Sequence, residues 1–309
     1  MISNFLFHRV NPKRDKLWDP MDPVLFEKCI KHITKNFEVV LFEDYILDIG
    51  IESGNKIASI MFDDGYEDNY LYAAPILNKY HCNASFYVVT NSIDKNWPVW
   101  TYMIDYLFKN TNRTTINLDF PFLPETLRVD KINNRSERIR YIRNLKPLLK
   151  KISQHQCEII INEIVKAYSD VSMPGEMMNW DQIRQLKADG YYIGSHTVTH
   201  PVLGMMEEHK AIKDELVLSG QRIKDELGYF PLSISYPVGS YTSITKKIAK
   251  EAGYKIGLAV NQKVYNPNRD DLFEVPRMEL YNESWWKTKL RISNKIEKIR
   301  NLVDLAALD

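Results

Sequence analysis

The sequence holds only three cysteines in 309 residues, Cys29, Cys82 and Cys157, and no Cys-x-x-Cys pair. Their odd number and wide spacing argue against a disulfide framework or a cysteine metal site and fit a reducing compartment. They read as small buried apolar residues. No apolar run approaches the roughly 18 residues a membrane-spanning helix needs. Phosphate-cradling loops of the GxxxxGK[ST] or GxGxxG type are also missing, which argues against a nucleotide-binding enzyme. Charge of one sign is lacking: 41 Lys and Arg face 40 Asp and Glu, a net +1. Whole-molecule charge therefore calls for no nucleic-acid or membrane partner. The opening MISNFLFHRVNPKR has too short an apolar part for a secretory signal and no small-residue cleavage site. By that measure the chain reads as cytoplasmic. Internal repeats, low-complexity tracts and flexible linkers are absent.

What is present is an alternation of strand-like and helix-like segments, the signature of an α/β fold with a parallel sheet or barrel. Strands are predicted over 3–8, 37–41, 57–62, 84–89, 191–194, 232–236, 254–260 and within 273–280. Helices are predicted over 22–35, 69–80, 180–189, 207–227 and 243–252, with Gly190 and Gly253 placed as C-terminal caps. The rhythm breaks over about 97–175, where charged helical stretches at 98–109 and 135–167 suggest a helical insertion shaping a groove. A basic amphipathic helix is expected over 285–307, packed on the barrel rather than on a membrane or partner. The whole chain, 1–309, reads as one domain.

The chemistry-bearing residues follow predicted strands. His196 and His200, in GSHTVTHP, lie four apart; on a helical turn they would share one face and reach one ion. Asp63 and Asp64 follow the apolar run IASIMF. Asp-Gly is ordinary turn chemistry. The sharper reading divides the labour: one carboxylate binds a cation and the other stays free as a base. Two histidines and one carboxylate make a common catalytic zinc set with open positions for water and substrate. All these residues sit where barrels and open α/β sheets carry their active sites, beyond the carboxyl ends of strands.

These residues carry a resemblance. MFDDGYEDN is similar to the first motif of the carbohydrate esterase family 4 (NodB-homology) polysaccharide deacetylases, SHTVTH to the second, and SYPVGSYT to the third. The phrase WDQIRQLKADGYYIGSHTVTHPVL resembles the family throughout. The resemblance spans roughly residues 1–280, with the insertion between. It implies a distorted (β/α) barrel and a divalent metal, usually zinc, with cobalt or nickel also tolerated. It further implies that Asp64, His196 and His200 hold the metal and that Asp63 is the general base. The backbone around Tyr236 and Pro237 would help hold the oxyanion. The reaction implied is removal of N-acetyl groups from a polysaccharide or glycan precursor by a metal-bound water. The partner is then a carbohydrate.

Two family features are missing. The third motif usually carries an arginine that tethers the catalytic aspartate; Ser235 or Tyr236 stands there. Arg277, in VPRMEL, is either its replacement or a surface salt bridge. No histidine follows His209, so the late catalytic histidine is absent. His8, in FHRV and 55 positions before Asp63, is the best substitute. It resembles a permuted branch of the family, including biofilm polysaccharide deacetylases, whose general-acid histidine comes first. The alternative is a structural or surface histidine. His32, His81, His155 and His209 read as ordinary. Trp97, Trp100, Trp180, Trp285 and Trp286 suit packing better than sugar stacking. Two other functions compete: a metal-dependent C–N hydrolase of a small amide or imide, and a non-catalytic glycan-binding relative. The second has no use for a free base beside a metal ligand.

Overall fold

A computed structural model of the protein describes residues 1–47 and 55–295. Ten strands appear among them: β1 (Ile2–Phe7), β2 (Glu38–Val39), β3 (Ile57–Phe62), β4 (Ser85–Val88), β5 (Thr115–Asn117), β6 (Val129–Lys131), β7 (Tyr192–Ser195), β8 (Ser233–Ser235), β9 (Ile256–Leu258) and β10 (Met278–Glu279). Eight form one sheet in the order β10-β1-β3-β4-β7-β8-β9, with β2 also on β3, and every ladder in it is parallel. Val275 bridges Leu258 beside β9, and Met278 then pairs with Phe5 of β1. The last segment thus joins the two ends of the sheet, which curls into a distorted (β/α) barrel. β1 and β3 are buried along nearly their whole length, as apolar runs covered on both faces must be.

Capping chemistry explains where the barrel helices begin and end. Asp22 accepts the amide of Val24, and Pro23 opens the helix Pro23–Asn36. Asn179 and Gln182 close a reciprocal capping box on the helix Trp180–Ala188. The expected helix over 69–80 opens as a π-helical turn, Asn69–Ala73, and becomes α-helical at Ala74–Lys79. Pro75 lacks the amide that an α-helix would bond to Leu71, which favours the wider turn.

Residues 100–168 form helices with a hydrophobic core of their own. The expected helical run 135–167 is two helices, Arg135–Leu149 and Gln154–Ala167. Pro147 costs the first a backbone bond near its end, and Ser153 caps the second through the amide of Gln156. Ile142, Leu145 and Leu149, at helical spacing, bury their side chains against Ile104, Phe108, Cys157 and Ile160. β5 and β6 form an antiparallel hairpin in this unit that the sequence reading had not foreseen. Of the terminal helix, Trp285–Ile292 is described, and the remainder of the expected 285–307 lies outside the described residues. Cys29, Cys82 and Cys157 are buried and unbridged. Among the described residues no helix is long and apolar enough to cross a membrane.

Candidate active site

The carboxyl ends of the parallel strands converge on one cleft of about 210 Å³. β1 delivers His8, β3 delivers Asp63 and Asp64, β7 delivers His196 and, four residues on, His200, and β10 ends at Glu279. The backbone there is held in unusual conformations. Asp64, Thr197, His200 and Val238 all have positive φ, the left-handed region that non-glycine residues seldom occupy. Such strain gathers at functional sites and persists only where surrounding contacts impose it. The histidine pair shows how. His196 and His200 do not sit on a helical turn, as their spacing had suggested, but in a loop with two left-handed residues. Glu215, from the helix His209–Leu227, accepts the amides of Val198 and Thr199 and the Thr199 hydroxyl. Trp100 donates its indole N–H to the carbonyl of His200 at 3.0 Å. The loop is therefore clamped from the barrel and from the helical unit together. Gly65 follows Asp64 at φ +85°, and a Cβ there would crowd Ile93 and Val88 at 3.1–3.2 Å.

The two aspartates face opposite ways. Asp63 forms a two-pronged ion pair with Arg277, both contacts at 2.8 Å. Ser235 adds its hydroxyl to Asp63 Oδ2 at 3.0 Å and itself receives an Arg277 N–H at 2.9 Å. Arg277 is fully buried, so the surface salt-bridge alternative is excluded. Its remaining Nε–H donates to the carbonyl of Ala259. Burial alone would push the Asp63 carboxyl up. The charge of Arg277, with His196 and His8 behind it, outweighs that and holds it below its ordinary value.

Asp64 turns toward the histidines. Its Oδ1 lies 3.3 Å from Nε2 of both His196 and His200, yet makes no hydrogen bond. Burial opposes its ionisation, but the two facing imidazoles hold its carboxyl well below the usual range. His196 Nδ1 lies 2.8 Å from the carbonyl of Ser235. With a cation present, a neutral His196 carrying its proton on Nδ1 would keep that contact and offer the Nε2 lone pair. Burial lowers the pKa of His200 despite Asp64 beside it. For His196 burial is outweighed by Asp63 and Asp64, and its pKa is raised. One carboxylate oxygen and two imidazole nitrogens, all buried and within 4.8 Å of one another, form a donor set for a divalent cation. The imidazole–carbonyl contact is the kind of support that orients a metal-ligating histidine.

His8 lines the cleft, its Nδ1 3.3 Å from Glu279 and its ring edge-on to Trp18. One expectation needs correction. The amide of Tyr236 donates to the carbonyl of Leu258 within the sheet, and Pro237 has no N–H, so neither can meet an oxyanion. The first amide past the proline belongs to Val238. It has no hydrogen-bond partner among the described residues, and Val238 lines the cleft. Ordinary sheet pairing consumed Tyr236, which counting the ladder register of β8 and β9 would have revealed. Trp18, Thr101, Lys146, Lys150 and Glu279 also line the cleft and were not singled out in the sequence. Apart from Glu279, which lies two residues past Arg277 in VPRMEL, none stands in a stretch quoted for its chemistry; only the fold brings them there. Trp97 and Trp286 are exposed rather than packed, as had been expected of them.

The polysaccharide deacetylase family model matches residues 50–257, about two thirds of the chain. That stretch contains Asp63, Asp64, His196 and His200, while His8 and Arg277 lie on either side of it. No curated protein matches the sequence. Among solved structures, deacetylase PplD of Streptococcus pyogenes, in complex with acetate, superposes with a TM-score of 0.62 at 17% identity, over 94% of this chain and 97% of that one. IcaB of Ammonifex degensii gives 0.62 at 18% identity, covering 94% and 96%. A de-N-acetylase of Aggregatibacter actinomycetemcomitans gives 0.58 at 16% identity, covering 94% and 99%. At such identities these likenesses speak for a shared fold. The family match, which takes in both the paired aspartates and the paired histidines, identifies the chain as a member of the polysaccharide deacetylase family, hydrolases that act on C–N bonds of a polysaccharide.

Proposed function

We propose that the protein is a metal-dependent de-N-acetylase of a polysaccharide or glycan precursor, working with a divided pair of aspartates. The observation that carries this reading is the contrast between Asp63, locked to Arg277, and Asp64, whose unbonded Oδ1 faces two imidazole nitrogens. A buried carboxylate oxygen without a hydrogen bond is costly unless a cation meets it. Asp64, His196 and His200 would hold that cation, with zinc suited to the donor set and cobalt or nickel tolerated. A divalent cation there supplies Lewis acidity, making water acidic enough to lose a proton near neutral pH and polarising a carbonyl.

The chain's own residues do the rest. Asp63 accepts the proton of the attacking water; its low pKa and the Arg277 clamp keep it ionised and aimed. The Val238 amide is the N–H suited to the developing oxyanion, in place of Tyr236 and Pro237. His8, oriented by Glu279, protonates the leaving sugar nitrogen. In this reading Arg277 does the work of the missing motif arginine from a different strand. The chain acts as one domain, with the insertion 97–175 as one wall of the cleft. Metal content by elemental analysis, with acetate release from N-acetylated oligosaccharides, tests the proposal. About one divalent ion per chain is expected in the wild type and none in His200→Ala. A wild type that takes up no zinc, nickel or cobalt, or that holds a metal but releases no acetate, would sink it.

A further inference from the structure

One wall of the cleft is markedly basic. Residues 135–151 contain Arg135, Arg138, Arg140, Arg143, Lys146, Lys150 and Lys151 against the single acid Glu137, in a chain whose net charge is +1. Lys146 and Lys150, one turn apart, line the catalytic cleft, while Arg140 and Arg143 line a hollow one to two turns earlier, together with Lys16. From Arg143 to Lys150 the helix rises about 10 Å. The track therefore leads along the helix and ends at the catalytic residues.

Nearby cations are mostly neutralised by neighbours. Arg9 is paired with Asp68 and Glu176, Lys109 with Asp15, Arg140 with Asp130 and Lys146 with Asp105. Lys16, Arg143 and Lys150 have no carboxylate partner among the described residues. Lys150 stands at the helix C-terminus, where a cation also favours the helix dipole. That local role does not account for Arg143, mid-helix and exposed, or for Lys16 on another segment.

The geometry points to an acidic glycan as substrate, with carboxylate or phosphate groups on the sugars flanking the acylated one, laid along the helix Arg135–Leu149 toward Lys150. This rests on the deacetylase reading and narrows its substrate. Unpaired cations beside a concave site raise the local concentration of an anionic ligand, and the effect weakens with salt.

Three N-acetylated oligosaccharides of equal length discriminate: a neutral N-acetylglucosamine oligomer, one alternating with glucuronate, and one joined through phosphodiesters. Binding is measured by calorimetry on the zinc-loaded Asp63→Asn protein, so the result does not depend on turnover. At least one acidic probe is expected to bind about tenfold tighter than the neutral one at low salt. Which of the two does so identifies the anionic group. Lys150→Gln and Arg143→Gln, each in that background, should lower the acidic-to-neutral ratio by roughly three- to fivefold. Lys247→Gln, a surface control, should leave the ratio unchanged. Equal binding of all three probes, or a ratio indifferent to Lys150 and Arg143, would overturn the inference. Acetate release by the wild-type protein, followed separately, decides the deacetylase reading, so the two can fail independently.

Discussion

The barrel and the helical unit contribute to the same cleft in different currencies. The barrel supplies the candidate reacting groups from the ends of β1, β3 and β7, held in left-handed or ion-paired geometry. The helical unit supplies a wall: Trp100 on the carbonyl of His200, and Lys146 and Lys150 at the rim. Each has its own hydrophobic core, and the two meet where Val202 and Val238 pack into the core of the helical unit. The comparison teaches that the chemical constellation belongs to the strand ends, while the helical unit sets its surroundings and steadies the histidine loop through Trp100.

Four substitutions test that division, the largest effect first. Asp63→Asn should keep metal and fold while turnover falls by about 10²–10⁴, the usual share of a general base, read from acetate release on metal-loaded protein. An equally active variant would leave the base unassigned. Arg277→Met strips the buried Asp63 of its counter-charge and should cost about 3–5 kcal/mol in denaturant unfolding, with activity lost as well. The sign of its pH dependence follows from the depressed Asp63 pKa. The stabilisation is full above the unfolded carboxylate value, about 3.9, and disappears as pH falls through the lower folded value. The wild type should therefore lose its advantage over Arg277→Met only in acid.

Ile142→Ala opens a cavity in the core of the helical unit, at about 2–5 kcal/mol. Hydrogen exchange should show lost protection in Arg135–Leu149 first, with the amides of β1 and β3 still protected. Equal loss in both would mean that the two regions unfold together. Trp100→Phe is the mildest. Losing the indole bond to His200 should cost about 1 kcal/mol and weaken zinc affinity by roughly fivefold, measured by competition with a chelator. An unchanged affinity would show that the helical unit does not steady the histidine loop.

Much of the barrel was legible in the sequence because buried parallel strands are short apolar runs and their helices carry recognisable caps. The run IASIMF became β3 at its predicted limits, and Asp63 and Asp64 follow it directly. The donor residues were legible as well, since Asp64, His196 and His200 stand in tight local patterns and do converge. The loop conformation of the histidine pair was not, because a spacing of four is the same on a helix and in a left-handed loop. That the Tyr236 amide is spent on Leu258 was not legible either, since which N–H a strand spends depends on its neighbour's register.

The sequence by itself determined the succession of strands and helices, the identity of the acids and histidines, and the basic character of residues 135–151. Local backbone preference, apolar periodicity and charge are properties of neighbouring residues, and they need no partner to be read. Only the tertiary structure decided that Arg277, 214 positions from Asp63, closes a two-pronged pair with it. It also decided that His8 meets Glu279 and that Lys146 and Lys150 of the basic stretch line the cleft. Those choices follow from curling the sheet until its last segment lies between β9 and β1, a closure that no stretch of local sequence encodes.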